Sequence, residues 1–175
     1  RDNWPWLEFR RVLFRSDEPA HNLIYNAAIA AYRGNLLDKA VEMFGKSVEN
    51  GYNAQTALYY KAVVLSKQNK DAEYKATLEE GAAKFPGDDK IGPALAKVYV
   101  AEGNELYKKG AAILNAANQK INDGSLKTTD DAYTAEFEKA KTEFKAAVVI
   151  LEKAKALDAA NENAQKLIDA CKAVL

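Results

Sequence analysis

Histidine and cysteine are almost absent from this chain, which holds only His21 and Cys171. A Ser-His-Asp arrangement or a metal site built on paired imidazoles therefore has little to work with, and a disulfide framework within the chain is excluded. Glycine is scarce at nine residues and proline at four. That argues against a loop-dominated or disordered chain, and the scattered glycines form no phosphate-cradling loop. No apolar run is long enough to cross a bilayer. Charge of one sign is lacking too: 25 bases meet 25 acids, which points away from an electrostatic nucleic-acid binder. What is present is 48% hydrophobic and 29% charged, the composition of a helical domain whose length suits one compact array.

The most informative positive feature is an internal repeat. Ile24-Tyr25-Asn26-Ala27-Ala28 aligns with Leu58-Tyr59-Tyr60-Lys61-Ala62 at a shift of 34 residues, and Asn35, Phe44 and Ser47 fall on Asn69, Leu78 and Gly81. A fixed period of this size marks an array of helix pairs, each burying its apolar face against its neighbours. Apolar spacing predicts helices over 22–33, 38–49, 54–67 and 71–84. In the first of these, Leu23, Ala27, Ala30 and Ala31 form the expected stripe, with Ile24, Ala28 and Tyr32 beside it. Gly34-Asn35, Asn50-Gly51, Gln68-Asn69-Lys70 and Phe85-Pro86-Gly87 supply the breaks.

The first sixteen residues do not share this pattern. They hold both tryptophans and four arginines but no lysine and no alanine. Leu7-Glu8-Phe9-Arg10-Arg11-Val12-Leu13-Phe14-Arg15-Ser16 resembles the in-frame translation of a sequencing adapter, so residues 1–16 are expected to be a foreign leader before a truncated gene. A membrane-surface segment is the competing reading, because Trp, Phe, Leu and Arg are interleaved there. Without the leader's four arginines and two acids, the remainder holds 21 bases and 23 acids, a net charge of −2.

The helix pairs resemble tetratricopeptide (TPR) repeats. That family places a large apolar residue early in the first helix and a small one four positions later; Ile24 and Ala28 match in one unit, Leu58 and Ala62 in the next. Its second helix carries a small, a large and a small residue, as Ala40, Phe44 and Ser47 do here. The second unit has Leu78 and Gly81, but Tyr74 stands where alanine is usual, which suggests a wider crossing or a tilted neighbour. Leu95, Ala96, Tyr99 and Gly103 open a third unit, after which the turn signal weakens. One long helix is expected over about 93–121, a loop at Asn122-Asp123-Gly124-Ser125, and a second long helix over 130–157. The buried face of that second helix would be Phe137, Ala140, Phe144, Ala147, Val148, Leu151 and Ala154. A last helix from 162 reads as a cap, with Asn161 or Asn163 accepting from its first amides and Leu167, Ile168, Cys171 and Val174 as its stripe.

The expectation is thus an all-α, TPR-like solenoid of antiparallel helix pairs in a single domain, 17–175. Its parts are repeats at about 21–53 and 54–87, an elongated hairpin at 91–158 and a capping helix at 161–175. It resembles a bacterial type of repeat protein, with the compartment left open between cytoplasm and periplasm or cell envelope.

The residues suggest no catalytic, cofactor or metal site. His21, at an expected helix start, suits capping or solvent exposure, and Cys171 suits a buried structural thiol. Asp88-Asp89 and Asp130-Asp131 suit the starts of helices, where acids favour the macrodipole. Glu79-Glu80 and Lys108-Lys109 read as solvated helix surface.

Function is expected to come from surface. The resemblance implies a concave groove lined by the first helix of each pair, at Tyr25, Ile29, Tyr32 and Arg33, then Tyr59, Val63, Ser66 and Lys67, then Lys97 and Val100. Such a groove, aromatic and apolar with bases at one edge, suits a hydrophobic peptide or a partner helix better than the chaperone tails that some relatives grip through Lys and Asn. Tyr25 and Tyr59 have a second reading, as rings stacked between adjacent helices with wet hydroxyls. Three roles stay open: a non-catalytic adaptor for a protein or peptide, a self-associating segment of an envelope array, and an accessory domain of an enzyme. None calls for nucleic acid, a cofactor or a membrane-spanning segment.

Overall fold

The computed structural model describes residues 17–175, so the expectations for 1–16 lie outside the described residues. The described chain is all-α, with seven helices and no strand. None of the helices is long and apolar enough to cross a membrane. Two compact units divide between Pro86 and Gly87.

The first unit holds α1 (Asp17–Arg33), α2 (Leu37–Glu49), α3 (Ala54–Lys67) and α4 (Asp71–Lys84), each packed on the next in chain order. The 34-residue period is written into the backbone bond by bond. After α1, Asn35 is left-handed (φ 58°) and the Leu36 amide reaches back to the Ala31 carbonyl. After α3, Asn69 is left-handed (φ 56°) and the Lys70 amide reaches back to the Leu65 carbonyl. Both are Schellman-type helix ends, in which asparagine tolerates a conformation that most side chains avoid. The equivalence extends to Asn53 (φ 48°) and Gly87 (φ 84°), again 34 residues apart.

Two expectations for α1 are corrected. The helix begins at Asp17, so His21 sits within its second turn, half-buried, and not at its start. The buried stripe is Ala28 and Ala31, flanked by half-buried Ile24, Tyr25, Ile29 and Tyr32; Ala27 and Ala30 are exposed, and Leu23 is 69% exposed. Two stripes one residue apart both have helical spacing. The one bearing Ala28 meets α2, because its small side chains let Phe44 (0% exposed) fill the space between the helices. Ala57 and Val64 of α3 close the same core. Buried Ser47 donates to the Tyr52 carbonyl at 2.7 Å, fixing the turn between α2 and α3. Tyr74, in the usual alanine position of α4, is half-buried.

The second unit is a hairpin of two long helices, α5 (Ile91–Asn122) and α6 (Asp131–Leu157), with α7 (Glu162–Lys172) docked mainly on α6. At ~1.5 Å per residue the hairpin arms reach ~48 and ~40 Å. Its seam has a period of seven. Ala96, Gly103, Gly110 and Ala117 recur every seventh residue along α5, all buried. On α6, fully buried Ala140, Ala147 and Ala154 alternate with Phe144 and Leu151. A Cβ on Gly103 would lie 2.6 Å from Leu151 Cγ, and one on Gly110 would lie 3.0 Å from the Phe144 ring. Advancing seven residues on α5 thus retreats seven on α6, the register of an antiparallel coiled-coil seam. The absence of a turn after Gly103 follows: that glycine is a packing site inside a continuous helix.

Caps finish the unit. Asp88 Oδ1 accepts from the Lys90 and Ile91 amides at the start of α5. Asn161 Oδ1 accepts from the Ala164 amide of α7 at 3.0 Å, so Asn161 and not Asn163 is the cap. Asp130 stands at the start of α6 as expected, but its carboxylate accepts from the Lys127 amide at 2.8 Å and caps none of the first amides of α6. On α7, Ala164, Ile168 and Cys171 are buried and Leu167 is half-buried, while half-buried Val174 lies in the turn after the helix ends at Lys172. Burial pushes the Cys171 thiol pKa up, away from reactive thiolate.

The same substitution should have opposite effects at two glycines. Gly103→Ala should lower stability by about 1–2 kcal/mol, because crowding fully buried Leu151 outweighs the ~1 kcal/mol gained in helix propensity. Gly45→Ala, with nothing within 4 Å of the added carbon, should raise stability by up to ~1 kcal/mol. Urea denaturation followed by circular dichroism compares them; equal signs would contradict the seam.

Candidate functional site

The residues expected to line a groove fall in both units, and each unit gathers its own set. In the first, α1 and α3 meet through aromatic rings. The Tyr32 and Tyr60 centroids lie 6.1 Å apart, and the Lys67 ammonium sits 4.5 Å over the Tyr32 ring. Tyr60 stacks on Phe44 at 5.7 Å and meets Tyr59 edge-on at 5.7 Å. Tyr25 stands edge-on to Phe44 at 6.1 Å and to Tyr52 at 6.0 Å. Rings at these distances and angles attract through their quadrupoles, and a cation over a ring face adds to that. The cluster is therefore pre-positioned rather than loose.

Individual positions differ in how much they offer to solvent. Arg33, Ser66 and Lys67 are exposed; Tyr25, Ile29, Tyr32, Tyr59 and Val63 are half-buried. Tyr25, Ile29 and Tyr32 also pack on the core formed by Ala28, Phe44 and Val64. The Tyr25 ring bridges α1, α2 and the turn that Ser47 holds. Burial, then the neighbouring Tyr60 and Tyr52, push its hydroxyl pKa above the ordinary 10.0. Burial, then Tyr59, push Tyr74 the same way.

Tyr60 is not among the residues expected to line the groove, yet it joins the ring cluster. The 34-residue alignment pairs Tyr25 with Tyr59, leaving Tyr60 opposite Asn26. Yet Tyr60, Val64 and Lys67 share helical spacing, and that stripe is the one turned toward α1 and α2. The spacing within α3 held the signal.

Lys97 and Val100 lie in the second unit. There they line an open cleft of about 460 Å³ with Ala101 and Asn104 of α5 and Asn163, Lys166 and Leu167 of α7. Among the described residues, no group of three or more His, Cys, Asp or Glu side chains could hold a metal ion.

No family model matches the chain, and no curated protein matches it. Among solved structures, a "TPR repeats protein" from Bacteroides fragilis is similar, with a TM-score of 0.58 and 21% identity over 94% of this chain and 87% of that one. At that identity the likeness establishes a TPR-like fold.

Two measurements check the aromatic cluster. Tyr25→Ala should cost roughly 1–3 kcal/mol of stability through lost burial and ring contacts. A tyrosine kept neutral by the fold holds its proton more tightly than in the unfolded chain. It therefore adds stability below about pH 10 that is lost as pH rises through the raised folded value. Denaturation midpoints should decline above about pH 10, and Tyr25→Phe with Tyr74→Phe should flatten that decline. An unchanged slope would count against the buried hydroxyls.

Proposed function

We propose that this chain is a non-catalytic scaffold that binds a partner protein through the α1–α3 face of its first unit. The observation that carries the reading is the aromatic floor itself. Tyr32, Tyr59 and Tyr60 are locked by one another and by Phe44, while exposed Arg33, Ser66 and Lys67 stand at its edge. Half-buried tyrosines supply contact area at low entropic cost, because their rotamers are already fixed. The bases would orient a ligand, either an apolar peptide or an amphipathic helix. Support also comes from the TPR-like fold, since an array of helix pairs presents one helix of each pair along a continuous surface.

The test is a displayed-peptide selection against the full chain, followed by affinity measurement on the enriched sequences. Those sequences should share aromatic or large apolar residues. Tyr59→Ala combined with Lys67→Glu should weaken them by at least about tenfold, ~1.4 kcal/mol, with helicity unchanged. A selection that enriches nothing, or peptides indifferent to both substitutions, would remove the proposal.

A further inference from the structure

The cleft of the second unit carries chemistry of its own. Lys97, Val100 and Asn104 follow one face of α5, and Asn163, Lys166 and Leu167 follow one face of α7. Val100 and Leu167 are half-buried and give the cleft an apolar floor, while Lys97, Lys166 and Asn163 are exposed around it. Every ionisable side chain in the lining is a lysine. Among the described residues, Lys97 enters no ion pair. Lys166 has Glu162 at 3.6 Å, a pair on one helix turn with both side chains more than 70% exposed. Such a pair is weak enough in water to exchange for another carboxylate.

These features select the occupant. A site with two cations and no acid in its lining complements negative charge. The lysines are point charges on flexible stems, without the planar fork that favours phosphate. The first amides of α7, which could cradle a phosphate, are partly taken, since Asn161 already accepts from Ala164. Asparagine amides both donate and accept, as an extended peptide backbone requires. An apolar floor between two cations calls for an apolar side chain between two carboxylates, and the volume of about 460 Å³ lies in the range of small-ligand sites.

We infer that the α5–α7 cleft binds a short acidic segment of a partner protein. One apolar side chain rests on Val100 and Leu167, flanking carboxylates pair with Lys97 and Lys166, and Asn104 and Asn163 hold the backbone. This goes beyond the α1–α3 reading and involves none of its residues.

A fluorescein-labelled Asp-Glu-Leu-Glu-Asp peptide, amidated at its C-terminus so that only side chains supply carboxylates, tests it by polarisation against the full chain. Affinity should fall as salt is raised, and Lys97→Glu/Lys166→Glu should weaken it by at least about tenfold. A Lys-Lys-Leu-Lys-Lys peptide should bind that doubly reversed variant and not the wild type. Replacing the peptide's leucine by serine should also weaken binding. Lys108→Glu/Lys153→Glu, outside the cleft lining, should keep wild-type affinity. No binding of the acidic peptide, or equal loss in both lysine pairs, would overturn the inference. Because Tyr59→Ala should leave this binding unchanged, failure here and failure of the α1–α3 reading can be told apart.

Discussion

The distance at which two helix backbones can approach governs both units of this protein. Close approach needs a small side chain on one helix and a large one opposite to fill the groove beside it. In the first unit Ala28, Ala31, Ala40 and Ala57 create the room and Phe44 occupies it. In the second, Gly103 and Gly110 receive Leu151 and Phe144. The pairing rule is the same in both, but the period differs. A 34-residue unit repeats a whole helix pair, whereas a seven-residue seam lets two helices run side by side for many turns.

That packing rule also decides what is left for binding. Tyr25 is spent largely on holding α1 to α2 and to the turn anchored by Ser47. Tyr32 and Tyr60 share their rings between packing and surface, and Lys67 lies over one of them. An aromatic residue half in the core is rigid, so the surface it presents is already in place when a ligand arrives. In the second unit, packing takes Ala164, Ile168 and Cys171 from α7 and leaves Leu167 with its two polar neighbours beside α5. Packing and binding divide the faces of the same helices.

Particular residues show how far the sequence could be read. The turns at Asn35 and Asn69 were legible as breaks in the helical run, while the left-handed conformation of both asparagines emerged from the backbone. The uninterrupted α5 was legible from the missing turn signal after Gly103. The inward stripe of α1 was not legible from spacing alone, since Leu23-Ala27-Ala30 and Ile24-Ala28-Ala31 have the same spacing; the repeat resemblance pointed to Ala28, and contact with Phe44 selects its stripe. Tyr60 was missed for a related reason. Alignment with the first unit pointed to its neighbour, while the rings that hold Tyr60 come from α1 and α2. Asp130 stands at a helix start as expected, yet its carboxylate turns to the loop because the Lys127 amide is within reach.

The sequence by itself determined the all-α class, the helix-pair period and most of the breaks. Those follow from local propensity and spacing, which a linear chain carries in full. The tertiary structure alone decided which of two equivalent stripes turns inward, which tyrosines become packing, and that Lys97 and Val100 face α7. Each of these is settled by a side chain distant in sequence, and the energy that selects among them exists only once the helices touch.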